Sequence, residues 1–191
     1  IIYDDNKFFT IASVEPKIKN RTLTLNGVSK AYCMTGWRLG YCGGPKNIIA
    51  GMNKIQSQST TSTSSISMAA SVEALNGNQD FIEKHNIQFK KRRDMVVEKL
   101  NKIQELSCAV PSGAFYIYPS CVGVIGKQTP KGNTINTDED FMNYLLDSEG
   151  VAGVQGEAFG LSPYFRLSYA TDSKTLNDAC DRIDRACSNL K

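Results

Sequence analysis

The sequence has a single histidine, His85, and none of its six cysteines stands in a C-x-x-C pair. Zinc centres draw on such clusters, and His85 is remote in sequence from Cys33, Cys42, Cys108, Cys121, Cys180 and Cys187, so no metal site is expected. No apolar run approaches the ~18 residues of a membrane span. The opening IIYDDNKFFT has neither the basic start nor the small-residue cleavage site of a secretory signal. The chain is accordingly read as cytoplasmic, with no membrane partner and with reduced, partly buried thiols, although an even number of cysteines permits disulfides. A dominant charge is also missing, because 22 basic and 19 acidic residues leave a net charge of +3. The one basic cluster, Lys90, Lys91, Arg92 and Arg93, lies inside a helical pattern with no aromatic platform. It reads as a solvated helix face, and no nucleic-acid partner is expected.

What is present is a globular composition, 41% apolar and 21% charged over 191 residues, enough for one good core or for one and a half domains. The chain starts without methionine on Ile1 and Ile2 and falls at once into a charged turn at Asp4 and Asp5. This start reads as the cut end of a longer protein, and the two aspartates as a surface turn. Residues 22–26, TLTLN, and 37–42, WRLGYC, alternate as strands, the second stopping at Gly43, Gly44 and Pro45. Helical spacing follows over 47–58, 64–75 and 79–104, with the Ser/Thr-rich SQSTTSTSS as a loop between the first two. The third helix would be about 38 Å long at 1.5 Å per residue, and a domain junction is placed near residue 88. Beyond it, residues 108–110 and 114–119 read as strands paired across the Pro111-Ser112-Gly113 turn. NTDEDFMNYLLDSEG reads as a helix capped by Thr137 and ended by Gly150. GVAGV and YFRLSYA read as strands, and DSKTLNDACDRIDRACSNL as a closing amphipathic helix.

The segment LNGVSKAYCMTGWRLGYCGGP sets Lys30 among Gly27, Ser29 and Ala31 and places Arg38 beside the only tryptophan, Trp37. A lysine amine is a nucleophile for carbonyl carbon when its surroundings favour the neutral form, and small neighbours leave room for a bulky partner on the nitrogen. Arg38 offers a fork of donors suited to phosphate. A lysine together with a phosphate-binding arginine is what pyridoxal phosphate requires. A lone lysine on a turn is more often a plain surface residue, so the weight falls on its context.

GVSKAYCMTGWRLG resembles the lysine segment of class I pyridoxal-phosphate aminotransferases, and SGAFYIYP, GEAFG, YFRLSYA and the closing helix continue the likeness in the family's order. The resemblance covers essentially the whole chain and is to the bacterial-type branch of the aspartate aminotransferase family. It implies an α/β fold: residues 1–88 as the end of the large cofactor domain and 89–191 as the small C-terminal α/β domain. It also implies pyridoxal 5'-phosphate as cofactor, amino and 2-oxo acids as substrates, and a homodimer for the full-length protein. Lys30 would hold the cofactor and move the proton at the substrate Cα. Arg38 would bind the cofactor phosphate, with Ser29 helping, since Gly27 stands where many relatives carry a serine. Arg166 would hold the substrate α-carboxylate by two parallel charge-assisted hydrogen bonds.

Phe159 and Gly160 are implied either near the cofactor mouth or in packing, and Tyr116 and Tyr118 read as core. Cys33, and Ser62-Thr63 in place of Asn-Pro, depart from the family's usual residues. The residues that meet the cofactor ring nitrogen, stack on the ring and cradle the phosphate in the family have no counterpart in this sequence. Turnover by these 191 residues alone is therefore not expected. The implied reaction is ping-pong amino transfer between L-aspartate and 2-oxoglutarate. A broader amino-acid or prephenate aminotransferase remains open, as does a non-catalytic structural fragment.

Overall fold

The computed structural model describes residues 1–191, and its backbone divides into two units, Asp5–Glu83 and Ile1–Asp4 together with Lys84–Lys191. In Asp5–Glu83 two one-turn helices come first, α1 (Ile11–Val14) and α2 (Pro16–Lys19). Pro16 suits a first helical position because its φ is fixed and its missing N–H would have no partner there. The alternating TLTLN then enters β1 (Thr24–Gly27), which pairs antiparallel with β2 (Gly40–Gly43), Leu25 opposite Cys42 and Gly27 opposite Gly40. Trp37 and Arg38, expected to open the second strand, lie outside it. Thr35–Trp37 instead forms a 3-10 turn closed by Trp37 N–H on the Met34 carbonyl at 3.2 Å, and extended backbone resumes only where the ladder with β1 can satisfy it.

Two helices complete this unit, α3 (Lys46–Gln58) and α4 (Ser65–Asn76). None of the residues of α3 is buried, and α4 buries only Ser67 and Ser71. The unit's buried apolar side chains are Val28 and Met34, while Phe8, Phe9, Leu25, Ile55, Ile66 and Val72 are exposed. The buried pair brackets the Lys30 turn.

The division at Glu83 and Lys84 falls in the first turn of α5 (Asp80–Leu100), the helix in which the sequence places a junction near residue 88. Its last turns bury Val96, Val97 and Leu100. It stops short of the expected residue 104, and the Asn101 amide then binds both the N–H and the carbonyl of Cys108, at 2.7 and 2.9 Å. That bond also undoes an expectation downstream. With the Cys108 backbone occupied, residues 108–110 are irregular, and the expected hairpin reduces to one antiparallel bridge, Ser107 to Ser120. The strand β3 is only Tyr116–Ile117.

The helix α6 (Asp138–Glu149) begins as its sequence predicts. Thr137 accepts from Asp140 N–H, the Asp140 carboxylate accepts from Thr137 N–H, and Gly150 ends the helix in the left-handed conformation, φ 67°. Then β4 (Val154–Gln155) and β5 (Phe165–Ser168) complete a three-stranded sheet in the order β3-β5-β4, with both pairings antiparallel. The closing helix α7 (Ser173–Ser188) starts on an Asp172 cap. The core of this unit joins Leu100, Ile117, Phe141, Leu145, Phe165 and Ile183.

Residues 1–4 belong to this second unit, with Ile2 bridging to Gly113 and Tyr3 buried in the core. Asp4 and Asp5 do lie in an exposed turn, and the solvated-face reading of the basic cluster is corrected at Arg93. Arg93 is buried, and its guanidinium lies over the Tyr3 ring and bonds the Pro111 carbonyl and Asp4, both at 2.9 Å. Lys90 meets the other Asp4 oxygen at 2.8 Å. Hydrogen bonds from Arg93 and then Lys90 hold the Asp4 carboxyl down at about 2.

Candidate active site

Lys30 sits on the connection between β1 and β2. Gly27 and Gly40 close its base, and a Cβ at Gly27 would lie 3.2 Å from the Leu39 carbonyl oxygen, so the two strands are drawn tight there. The Ser29 carbonyl accepts from Met34 N–H at 3.0 Å and the Lys30 carbonyl from Cys33 N–H at 3.2 Å. This turn leaves Lys30 exposed between buried Val28 and buried Met34, with Ser29 half-buried beside it.

Arg38 ends the same connection at φ 51°, and Cys33 also adopts a left-handed φ, 54°. Such backbone costs a non-glycine residue about 1–3 kcal/mol and gathers where a side chain has a task. Arg38 directs one N–H to the Thr35 carbonyl at 3.1 Å and enters no ion pair, so most of its fork can face an anion. Among the sequence-derived candidates, Ser29, Lys30 and Arg38 are thus gathered on one connection, offering a hydroxyl, an amine and a guanidinium. Arg166 belongs to the other unit.

Arg166 occupies the central strand β5, paired with Val154 of β4. Its neighbours Phe165 and Leu167 turn to the core, so Arg166 faces the opposite side of the sheet. The guanidinium carbon lies 4.5 Å from the ring centroid of Tyr116 and 4.3 Å from that of Phe159. Rings hold a guanidinium by their π charge and leave its N–H groups available. Arg166 pairs with no carboxylate of this chain, so its fork of N–H groups is not spent on an ion pair here.

Tyr116 and Tyr118, read from sequence as core, are half-buried on this outer face. The Tyr118 ring stacks on Tyr164 at 5.6 Å and meets Phe159 edge-on at 6.1 Å. Its hydroxyl reaches the Gly156 carbonyl at 3.0 Å, and burial first, then the charge of Asp138, raises its pKa, so it stays protonated and donates. Asp138 itself was not a candidate in the sequence. It is fully buried at the start of α6 and accepts from Tyr164 N–H at 3.3 Å. The alternation in AFYIYP carried the signal for the tyrosines, because Ile117 in the core sends both neighbours to the other face. Nothing local marks Asp138.

All six cysteines are free, and four are buried. Burial pushes Cys108 up to about 11 and Cys121 to about 12, so both stay thiols near neutrality. No helix is long and apolar enough to cross a membrane.

A family model described as aminotransferase class I and II matches residues 1–183. The chain is 57% identical over 190 residues to the aspartate aminotransferase of Rhizobium meliloti (strain 1021), covering 100% of this chain and 46% of that protein. It is 56% identical over 191 residues to a probable aspartate/prephenate aminotransferase of Rhizobium leguminosarum bv. phaseoli, with 100% and 48% covered. Among solved structures, the aspartate aminotransferase from Rhizobium meliloti matches with a TM-score of 0.96 at 56% identity, over 100% of this chain and 48% of that one. An aromatic aminotransferase from Pyrococcus horikoshii OT3 matches at 0.87 and 34% identity, over 98% and 48%. The chain spans about half the length of the curated relatives it matches.

Proposed function

Because the chain belongs to the class I and II aminotransferase family, we propose that it is the C-terminal portion of an aspartate aminotransferase, with pyridoxal phosphate as cofactor and aspartate and 2-oxoglutarate as substrates. The observation that carries the reading is Arg166, a guanidinium held against two rings with no carboxylate partner in its own chain. Every amino and 2-oxo acid presents the planar anion that such a fork binds in two parallel bonds.

The donor set on the β1–β2 connection fits the cofactor: Lys30 for covalent attachment through Nζ, Arg38 for the phosphate dianion, and Ser29 as a further donor to it. Pyridoxal phosphate, when bound, supplies an electron sink for the Cα–H bond being broken. Arg166 fixes the α-carboxylate and so limits rotation of Cα, which raises the fraction of bound substrate in a reactive orientation. Released from the cofactor when the substrate amine takes its place there, the Lys30 amine would take the Cα proton and later return one, a general acid/base role. The same groups serve both halves of a ping-pong exchange, since amino acid and oxo acid share the carboxylate.

In the same reading residues 1–88 end the large domain, 89–191 form the small one, and the full-length protein works as a cytoplasmic homodimer. The exposed apolar side chains of Asp5–Glu83 support further protein against that unit. A second reading, a combined aspartate/prephenate aminotransferase, is favoured by the name of the 56% identical relative. One experiment tests both. The complete protein incubated with pyridoxal phosphate should acquire a visible absorbance band that borohydride abolishes, and kcat/KM should be compared for aspartate and prephenate. Absence of the band, or of turnover with either amino-group pair, refutes the proposal.

A further inference from the structure

The Arg166 guanidinium lies over Phe159 as well as Tyr116, and Phe159 is an exposed ring at the end of a short turn, Gly156–Phe159, outside the core cluster. Something has to fix that turn. Its backbone closes through Leu161 N–H on the Gly156 carbonyl at 3.1 Å and Gly160 N–H on Glu157 at 2.9 Å, and Gly156 N–H ties it to the Tyr164 carbonyl at 2.8 Å. The side chain of Tyr118 then spans both ends, its hydroxyl lying 3.0 Å from the Gly156 carbonyl oxygen and 3.3 Å from that of Leu161. The fit leaves no slack. A Cβ on Gly156 would fall 2.1 Å from the Leu161 oxygen and 2.9 Å from the Tyr118 hydroxyl.

Tyr118 is itself immobilised. One ring face stacks on Tyr164 with an interplanar angle of 14°, and Tyr164 is anchored through its N–H to the buried Asp138 carboxylate. Phe159 meets the Tyr118 ring edge-on at 75°. A continuous chain of contacts therefore runs from α6 through Tyr164 and Tyr118 to Phe159 and ends on the guanidinium.

We propose that Tyr118 is a positioning residue for carboxylate binding: its hydroxyl clamps the two ends of the 156–161 turn and thereby holds Phe159 over Arg166. The proposal rests on the reading of Arg166 as the carboxylate anchor. It requires that the hydroxyl, and not merely the ring, sets substrate affinity.

The test is Tyr118→Phe in the complete, cofactor-loaded protein, which keeps the ring stack and removes only the clamp. Three experiments are run: the Kd of succinate, an unreactive dicarboxylate, by calorimetry; steady-state kinetics for KM and kcat with aspartate and 2-oxoglutarate; and amide hydrogen exchange over 156–161. The expected result is a roughly three- to tenfold rise in the succinate Kd and in both KM values, the factor carried by one ordinary hydrogen bond. Exchange over the turn should quicken while kcat stays within about twofold.

Phe159→Leu, at an exposed position, should raise the same constants, and the double substitution should do no more than the larger single one. If Tyr118→Phe fails to fold, Phe159→Leu still tests the step the clamp works through, and unchanged succinate Kd and KM in that variant would overturn the proposal. Faster exchange with unchanged Kd and KM would make the clamp merely structural and overturn the proposal, as would a change in kcat alone. Arg166→Lys keeps the two questions apart. If it leaves the succinate Kd intact, the anchor reading fails; if it weakens succinate and Tyr118→Phe does not, only the positioning role fails.

Discussion

Replacing Arg166 by lysine keeps the positive charge and takes away the fork. In the wild-type arrangement two parallel N–H groups can meet the carboxylate while the guanidinium rests 4.5 and 4.3 Å from two ring centroids. A lysine ammonium on the same strand position makes one directed bond where the arginine makes two. The loss of one charge-assisted hydrogen bond is worth about 1.5–3 kcal/mol, and the poorer ring contact adds about 0.5–1 kcal/mol. The total, about 2–4 kcal/mol, corresponds to a fall of roughly 30- to 1,000-fold in kcat/KM. Because the α-carboxylate is common to every substrate, KM should rise for both the amino and the oxo acid, and kcat should fall as orientation is lost. Steady-state kinetics with aspartate and 2-oxoglutarate, each varied at saturating partner, provides the measurement. A change confined to one member of the pair would mean that Arg166 reads a side chain, and the carboxylate assignment would be wrong.

Lys30→Ala should remove turnover and borohydride-stable cofactor labelling together while the fold persists; retention of more than about a hundredth of the rate, against the ~10²–10⁴-fold credited to acid/base action alone, refutes the role. Thr137→Ala breaks the capping box of α6, whose Oγ1 accepts from Asp140 N–H at 3.1 Å, and should lower stability by about 1 kcal/mol, read as a shifted urea midpoint with unchanged slope. Asp4 predicts an acid limb. Its folded pKa of about 2 lies below the ordinary carboxylate value, so its contribution is present above that ordinary value and is lost as pH falls through about 2. Asp4→Asn should flatten the pH dependence of stability in that window, and an unchanged acid limb would remove the Arg93 pairing from the argument.

Some of this protein was legible because its causes are local. The start of α6 needs only Thr137 and Asp140, and its end only Gly150, all within reach of one helix. The connection bearing Lys30 was readable for the same reason: alternation on either side marks two strands, and β1 and β2 do flank it. The strand boundary at residue 37 was not, because a 3-10 turn with a left-handed arginine leaves no trace in polar and apolar spacing. A side-chain bond from Asn101 to Cys108 likewise displaced a hairpin that residue types alone support.

The basic cluster marks the limit most sharply. Lys90, Lys91, Arg92 and Arg93 look equivalent in the sequence, yet Arg93 is buried on Tyr3, Asp4 and Pro111 while its neighbours keep access to solvent. Which helix face meets a partner depends on segments distant in the chain, residues 3–4 and 111, and no spacing rule records that. The same holds for Tyr118. Alternation in AFYIYP put it opposite Ile117, but only the packing of Phe141 against Phe165 made the Ile117 side the core and left the tyrosine side to support Arg166. The sequence by itself determined which groups are available, a lysine, two arginines and a hydroxyl, because chemistry belongs to residue types. Tertiary structure alone decided which arginines go without a carboxylate partner, because burial and pairing are properties of residues distant in sequence.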